Sequence, residues 1–167
     1  MIRVLYLTAV AVALGFLLRA YAFERIVVVS GSMEPTLPVG KTVLVNKFIY
    51  RLRPPRHGEI VTFPSPVENR ELVKRIIAME GDEVKIVEKQ VQLNGRPLPE
   101  PYVQHTRAGE NLVGDNMELG VVPAGHVVVM GDNRDESGDS RDWLGPTGGH
   151  IPFVAVKTIE GKLMVDR

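Results

Sequence analysis

Residues 4–18 read VLYLTAVAVALGFLL, an apolar run with one threonine and no charge, and no other feature restricts the fold as strongly. Carried on to Phe23, the run has about 20 residues, which as a helix spans about 30 Å, the hydrocarbon thickness of a bilayer. Arg19 then falls one turn from the far interface, where its stem lets the guanidinium snorkel to water. The alternative is a cleavable secretory signal with Arg3 as its basic start and Ala20-Tyr21-Ala22 as a small-residue cut site. Arg19, a charge between apolar core and cut, argues against it. In both readings Arg3 keeps the N-terminus inside and the rest of the chain crosses. The expected division is a membrane anchor over 1–25 and an exported domain over 26–167.

The exported body has the length of one domain. With 20 Lys+Arg against 20 Asp+Glu in 167 residues, the chain has no basic surplus for a phosphate backbone, so nucleic acid is not an expected partner. Lack of cysteine rules out thiolate metal sites, disulfides and cysteine nucleophiles; neither metal nor cofactor is expected. Short Val/Ile-rich runs bounded by Gly and Pro predict a mainly β body, with strands over 42–46, 59–63, 71–77, 83–87, 91–93, 126–130 and 155–159. Asn94-Gly95 marks a tight hairpin, and Pro54, Pro55, Pro97, Pro99 and Pro101 mark connections or edges.

Chemistry concentrates in three segments. In the first, SGSMEPTL (30–37), serine and glycine are ordinary turn formers and Pro35 fixes a bend, so a turn is the plain reading. In the second, strand alternation puts Leu72, Lys74, Ile76 and Ala78 on one face and Val73, Arg75 and Ile77 on the other. Lys74 thus has apolar neighbours and either runs its stem along them to water or is buried outright. Burial lowers a lysine pKa from ~10.4 by up to ~3–5 units, enough to make it a general base for a serine hydroxyl. The third, MGDNRDESGDSR (130–141), packs Asp132, Arg134, Asp135, Glu136, Asp139 and Arg141 into one loop. A calcium loop starting at Asp132 would need ligands where Arg134 and Trp143 stand. What remains is a solvated charged loop, or a turn braced by Asp/Arg pairs that holds Ser137 towards a site.

Together and in this order, with VLVNKFIY (43–50), HGEIVTFPSP (57–66), LVKRIIAMEGD (72–82), VQLNGRPLPEPYV (91–103) and VPAGHVVVMGDNRDESGDSR (122–141), these segments resemble the type I signal peptidases, the serine/lysine leader peptidases of membranes. The resemblance covers roughly residues 15–145. Departures include Val29, where bacterial members usually carry Pro, Lys41, where Asp is common, and the stretch after Trp143.

The resemblance implies an antiparallel β fold of the signal-peptidase type with one N-terminal transmembrane helix and a small accessory β insertion at about 83–120. It also implies residue roles. Ser32 matches the nucleophile and Lys74 the general base; Ser30 matches the hydroxyl that joins the Ser32 amide in an oxyanion hole. Ser137 matches the serine that orients the lysine, and Asp132, Asp139 and Arg141 the supporting charged pairs. Val28, Met33, Leu37, Leu72 and Val73 fall where the family lines two shallow pockets for small side chains, the origin of an Ala-X-Ala preference. Exported preproteins bearing signal peptides, the lipid bilayer and the neighbourhood of the export translocon are the implied partners. SGSM and GDNRDESGDSR look bacterial, which favours the cytoplasmic membrane, with the catalytic domain outside, over an organellar one. Two rivals stand beside this reading: a related serine/lysine peptidase dedicated to one substrate, and a catalytically silent tethered binding protein.

Overall fold

A computed structural model describes residues 2–165, apart from the side chains at 2, 13, 14 and 16–20; the expected snorkelling of Arg19 lies outside the described residues. A helix α1 (Ile2–Ala22) runs straight into β1 (Phe23–Val27), so the strand straddles the expected boundary between anchor and body. Along α1 the side chains of Val4, Leu5, Tyr6 and Leu7 are exposed. Among the described residues, no helix is long and apolar enough to cross a membrane.

The body is antiparallel β. Its larger sheet holds β1, β2 (Thr42–Asn46), β3 (Ile60–Pro64), β4 (Glu71–Met79), β9 (His126–Met130), β10 (Val154–Ala155) and β11 (Gly161–Met164), in the order β1-β2-β11-β3-β4-β9-β10. A one-turn helix α2 (Ile49–Leu52) follows β2. The smaller sheet holds β5 (Glu83–Val87), β6 (Gln90–Leu93), β7 (Arg96–Pro97) and β8 (Met117–Val121), in the order β7-β6-β5-β8. Pro97 sits in an edge strand, where its missing N–H breaks no ladder.

β4 and β9 are buried on both faces because they lie between the two bodies of core. Leu72 and Ile76 of β4 and Val127 and Val129 of β9 pack with Val61, Phe63 and Trp143, whose rings meet edge to face at 6.1 Å between Phe63 and Trp143. Ile77, Ala78, Val128 and Met130 instead meet Val84, Ile86, Val91 and Leu119 of the smaller sheet. A bulge between Ile76 and Ala78 shifts the β4 register against β9, which lets Ile77 and Ala78 both join that second cluster. Lys74 pairs with Val61 in the middle of this framework, so its side chain rises from one of the most constrained strands.

Several elements differ from the sequence expectation. Residues 155–159 do not form a strand: Val154–Ala155 make a two-residue one and Val156–Thr158 a 3-10 turn. Their alternating pattern is spent on an edge, where Ile159 is buried in the core and Val156 packs against it half-buried. Strands β1, β7, β8 and β11 are additional. β11 inserts between β2 and β3, and Gly161 allows it, since a Cβ there would sit 2.4 Å from Val45 Cγ1.

Candidate active site

Ser30 is the extended N-cap of a 3-10 turn over Gly31–Met33, so the backbone turns sharply at Ser32. The Ser30 Oγ accepts the Ser32 N–H at 3.3 Å. Buried Met33 and Leu37 anchor this turn to the core. Ser30 is exposed and Ser32 half-buried, so the Ser32 hydroxyl is presented rather than packed.

The loop after β9 closes over the turn from the other side. Asn133 donates its backbone N–H to Ser32 O at 3.1 Å and its Nδ2 to Gly31 O at 3.3 Å. Gly131 lies between the two segments. A Cβ at that position would stand 2.3 Å from both Ser32 O and Ser137 Oγ, closer than atoms can approach, so only glycine lets the Ser32 turn and Ser137 come together.

Lys74 is 2 % exposed, and its Nζ donates to Ser137 Oγ at 2.8 Å. The Ser137 hydroxyl in turn donates to Asp139 Oδ2 at 2.7 Å. Its one proton is therefore committed to the carboxylate, and towards Lys74 it can only accept. Arg141 holds Asp139 through Nε to Oδ1 and Nη2 to Oδ2, both 2.9 Å, and Gly131 N–H adds a third donor at 3.0 Å. Burial opposes ionisation of Asp139, but the Arg141 charge and these bonds outweigh it and hold the carboxyl below its usual range. For Lys74 burial is the largest influence. Asp139 pulls the other way and Arg141 and Arg70 add to it, and the ammonium is pushed down to about 8.

Asp132 stands apart from the Asp139–Arg141 pair and finds its own cationic partner outside the loop. Its carboxylate takes a two-pronged contact from Arg75, Nε to Oδ1 at 2.8 Å and Nη2 to Oδ2 at 2.6 Å, and a hydroxyl bond from Thr36 at 2.5 Å. The Arg75 guanidinium also lies 3.9 Å over the Tyr102 ring. This pair ties the segment after the Ser32 turn, strand β4 and the loop after β9 into one unit. Sequence reasoning missed Arg75 because it sought partners for Asp132 within the loop. The signal was present: alternation puts Arg75 beside Lys74 but on the opposite face.

Of the expected pocket residues, Val28, Met33 and Leu37 share one cluster, with half-buried Val73 packed against it. Leu72 lies across the sheet in another cluster and does not meet them. The histidines are peripheral: His57 contacts Asp82 and His126 a backbone carbonyl. His105 and His150 likewise contact Asp135 and Ser140 O.

This arrangement can support acyl transfer. A presented serine stands in a sharp turn, and a buried lysine depressed in pKa is held by a serine, a carboxylate and a guanidinium in series. Among known proteins, the family described as "Signal peptidase, peptidase S26" matches residues 1–165. Signal peptidase I of Bacillus licheniformis is 38% identical over 141 residues, covering 81% of this chain and 75% of the relative. Signal peptidase I of Pseudomonas aeruginosa is 33% identical over 165 residues, covering 77% of this chain and 58% of the longer relative. The crystal structure of a signal peptidase I from Enterococcus faecalis V583 aligns with a TM-score of 0.54 at 29% identity, over 67% of this chain and 98% of that one. With its serine turn and buried lysine set in this antiparallel framework, the chain belongs to the signal peptidase family, peptidase S26.

Proposed function

We propose that Ser32 is the nucleophile and Lys74 the general base with which this signal peptidase I enzyme removes N-terminal signal peptides from preproteins. The observation that carries the reading is the chain Lys74–Ser137–Asp139–Arg141. It takes one N–H of the amine, so that in neutral Lys74 the lone pair is left for the Ser32 hydroxyl. The Ser32 Oγ attacks the scissile carbonyl carbon while its proton passes to Lys74 Nζ. Collapse of the tetrahedral intermediate breaks the C–N bond, and the Lys74 proton goes to the leaving amine. Water, deprotonated by the same lysine, then attacks the acyl ester, and as the ester C–O bond breaks Lys74 returns that proton to Ser32 Oγ.

The oxyanion is assigned to the Ser32 N–H and the Ser30 hydroxyl. In the resting state these two face each other at 3.3 Å, a long bond that is readily exchanged for a stronger one to a negatively charged oxygen. Half-buried Val73, backed by buried Val28, Met33 and Leu37, is the apolar surface assigned to the small side chains before the cut, as in Ala-X-Ala. Leu72, in the other cluster, takes no part in this surface. Asp132 is read as a positioning residue through Arg75.

Residues 1–25 are read as the membrane anchor and 26–167 as the exported domain, with about 83–120 as its accessory β insertion. The uncharged run over 4–18 and the exposed apolar side chains along α1 support lipid around that helix. Arg3 supports an inside N-terminus. The bacterial cytoplasmic membrane, close to the export translocon, is the proposed setting.

The test is cleavage of a preprotein bearing an Ala-X-Ala site by the purified full chain in detergent, beside Ser32→Ala and Lys74→Ala, with the product's new N-terminus sequenced. Cutting after the final Ala by the parent alone is the expected result. Inactivity of the parent on several preproteins, or retained cutting by Ser32→Ala, overturns it and favours a tethered binding protein. Cutting restricted to one preprotein favours a dedicated processing peptidase.

A further inference from the structure

We propose that Lys89, in the accessory sheet, is a positioning residue for the reaction: its ammonium clamps the loop that carries Ser137. The turn between β5 and β6 carries residues that its geometry disfavours. β5 and β6 are joined by a two-residue turn, Val87 pairing with Gln90, and Glu88 and Lys89 have φ of 47° and 68°. Both central positions of such a turn need positive φ, which favours Asn-Gly and disfavours long side chains. The next hairpin in the same sheet uses Asn94-Gly95 in the same geometry, so the preferred pair is available to this chain. A strained Glu-Lys at the first turn points to a side chain needed there.

The Lys89 side chain meets that description. Its Nζ reaches out of the accessory sheet to Asp135 Oδ1 at 3.0 Å, Asp115 Oδ2 at 3.3 Å and Arg107 O at 3.1 Å. The Asp115 and Asp135 side chains are 2 % and 0 % exposed. Asp135 belongs to the 3-10 turn Arg134–Glu136 that ends at Ser137. Arg107 N–H bonds the Asp135 carboxylate at 2.7 Å and His105 approaches it at 3.4 Å; Arg107 also lies 3.4 Å from Glu136. The same turn offers the Arg134 carbonyl to Arg141 Nη2 at 2.7 Å, and Arg141 holds Asp139. A contiguous path therefore runs from Lys89 through Asp135 and the turn to the hydroxyl on Lys74. Lys74 itself is faced by Asp139, Arg141, Arg70 and Asp142. Loosening the turn admits water and so relieves the burial that lowers the pKa of its amine.

The inference rests on Lys74 as general base. The experiment is the pH dependence of kcat/KM for Lys89→Met, Lys89→Gly and Lys89→Arg in the full chain, with Lys85→Met as control, since Lys85 pairs with Glu118 at the exposed surface of the same sheet. Lys89→Met and Lys89→Gly are expected to move the acid limb to higher pH by ~0.5 unit or more, with several-fold less activity at pH 7 and a ratio to parent near one at high pH. Lys89→Arg should restore the profile and Lys85→Met should leave it unmoved. Glycine relieves the strained φ, so Lys89→Gly should be more stable than Lys89→Met yet show the same shift. A loss by one factor at every pH, activity that follows stability, or failure of arginine to rescue would overturn the proposal. Hydrogen exchange at residues 134–137 in a Lys74→Ala background tests the clamp apart from the base. Faster exchange on adding Lys89→Met supports it even if Lys74 proves not to be the base, and unchanged exchange overturns it.

Discussion

Lys74 Nζ donates a 2.8 Å hydrogen bond to Ser137 Oγ, and because that hydroxyl donates its own hydrogen bond to the Asp139 carboxylate, the direction of the bond is fixed. A lysine that must donate here keeps its lone pair for another partner, and the Ser32 turn is packed against the same loop through Asn133 and Gly131.

Ser137→Ala removes the acceptor and leaves the Lys74 amine free to rotate. We expect kcat to fall roughly 10²-fold, the low end of what a positioned proton acceptor contributes, with KM little changed. Steady-state kinetics on a preprotein substrate checks this; a change confined to KM would contradict it.

Gly131→Ala places a methyl group on Ser32 O and Ser137 Oγ at once. Overpacking of this kind costs about 1–3 kcal/mol, which leaves a folded protein, but it pushes the serine turn away from Ser137. Thermal unfolding should show a modest loss and the cleavage assay a near-complete one.

The Arg75–Asp132 pair has 11 % and 1 % side-chain exposure and fork geometry, so removing one partner strands a buried charge. Asp132→Asn is expected to destabilise by ~3–5 kcal/mol, and Arg75→Lys to be more damaging than charge conservation suggests because a single ammonium cannot replace the fork. Urea unfolding of the purified chain measures both.

Lys74 also links stability to pH, with a sign opposite to that of a surface lysine. Its folded pKa of about 8 lies below the unfolded value of ~10.4, so between these the unfolded chain binds the extra proton. Its contribution makes stability rise with pH from about 8 to about 10.4, while below about 8 the cost of holding the charge buried is fully present, about 3 kcal/mol. Lys74→Met should therefore be more stable than the parent at pH 7, an inactive but tougher protein. Equal stability of the two across this range would contradict the depressed pKa.

How much of this was legible before the fold was known differs by residue. Ser32, Lys74 and Ser137 stand in segments whose composition sets them apart; Lys74 meets Ser137 through a hydrogen bond, and the Ser32 backbone packs beside Ser137 at Gly131. Lys74 was readable as buried or snorkelled only, because strand alternation gives its apolar neighbours but not what covers the ammonium. Asp132 was legible as a charged bracing residue, yet it lies in the loop after β9 and its partner Arg75 comes from strand β4, and no local pattern reports a contact made by topology. β11 escaped for the same reason: Gly161–Met164 has one deeply buried side chain, Leu163, and its place between β2 and β3 depends on chain return rather than on periodicity. Lys89 sits in a turn whose residues contradict turn chemistry, a signal visible only once φ is known.

The most direct test of the account is the acid limb of kcat/KM against pH for the parent enzyme on a preprotein, with Lys74→Ala alongside. A limb rising as one proton is lost at about 8, where burial places the Lys74 amine, and no cleavage at any pH by the folded variant, is the predicted result. A profile flat from acid to neutral, or a limb that survives in Lys74→Ala, would contradict it.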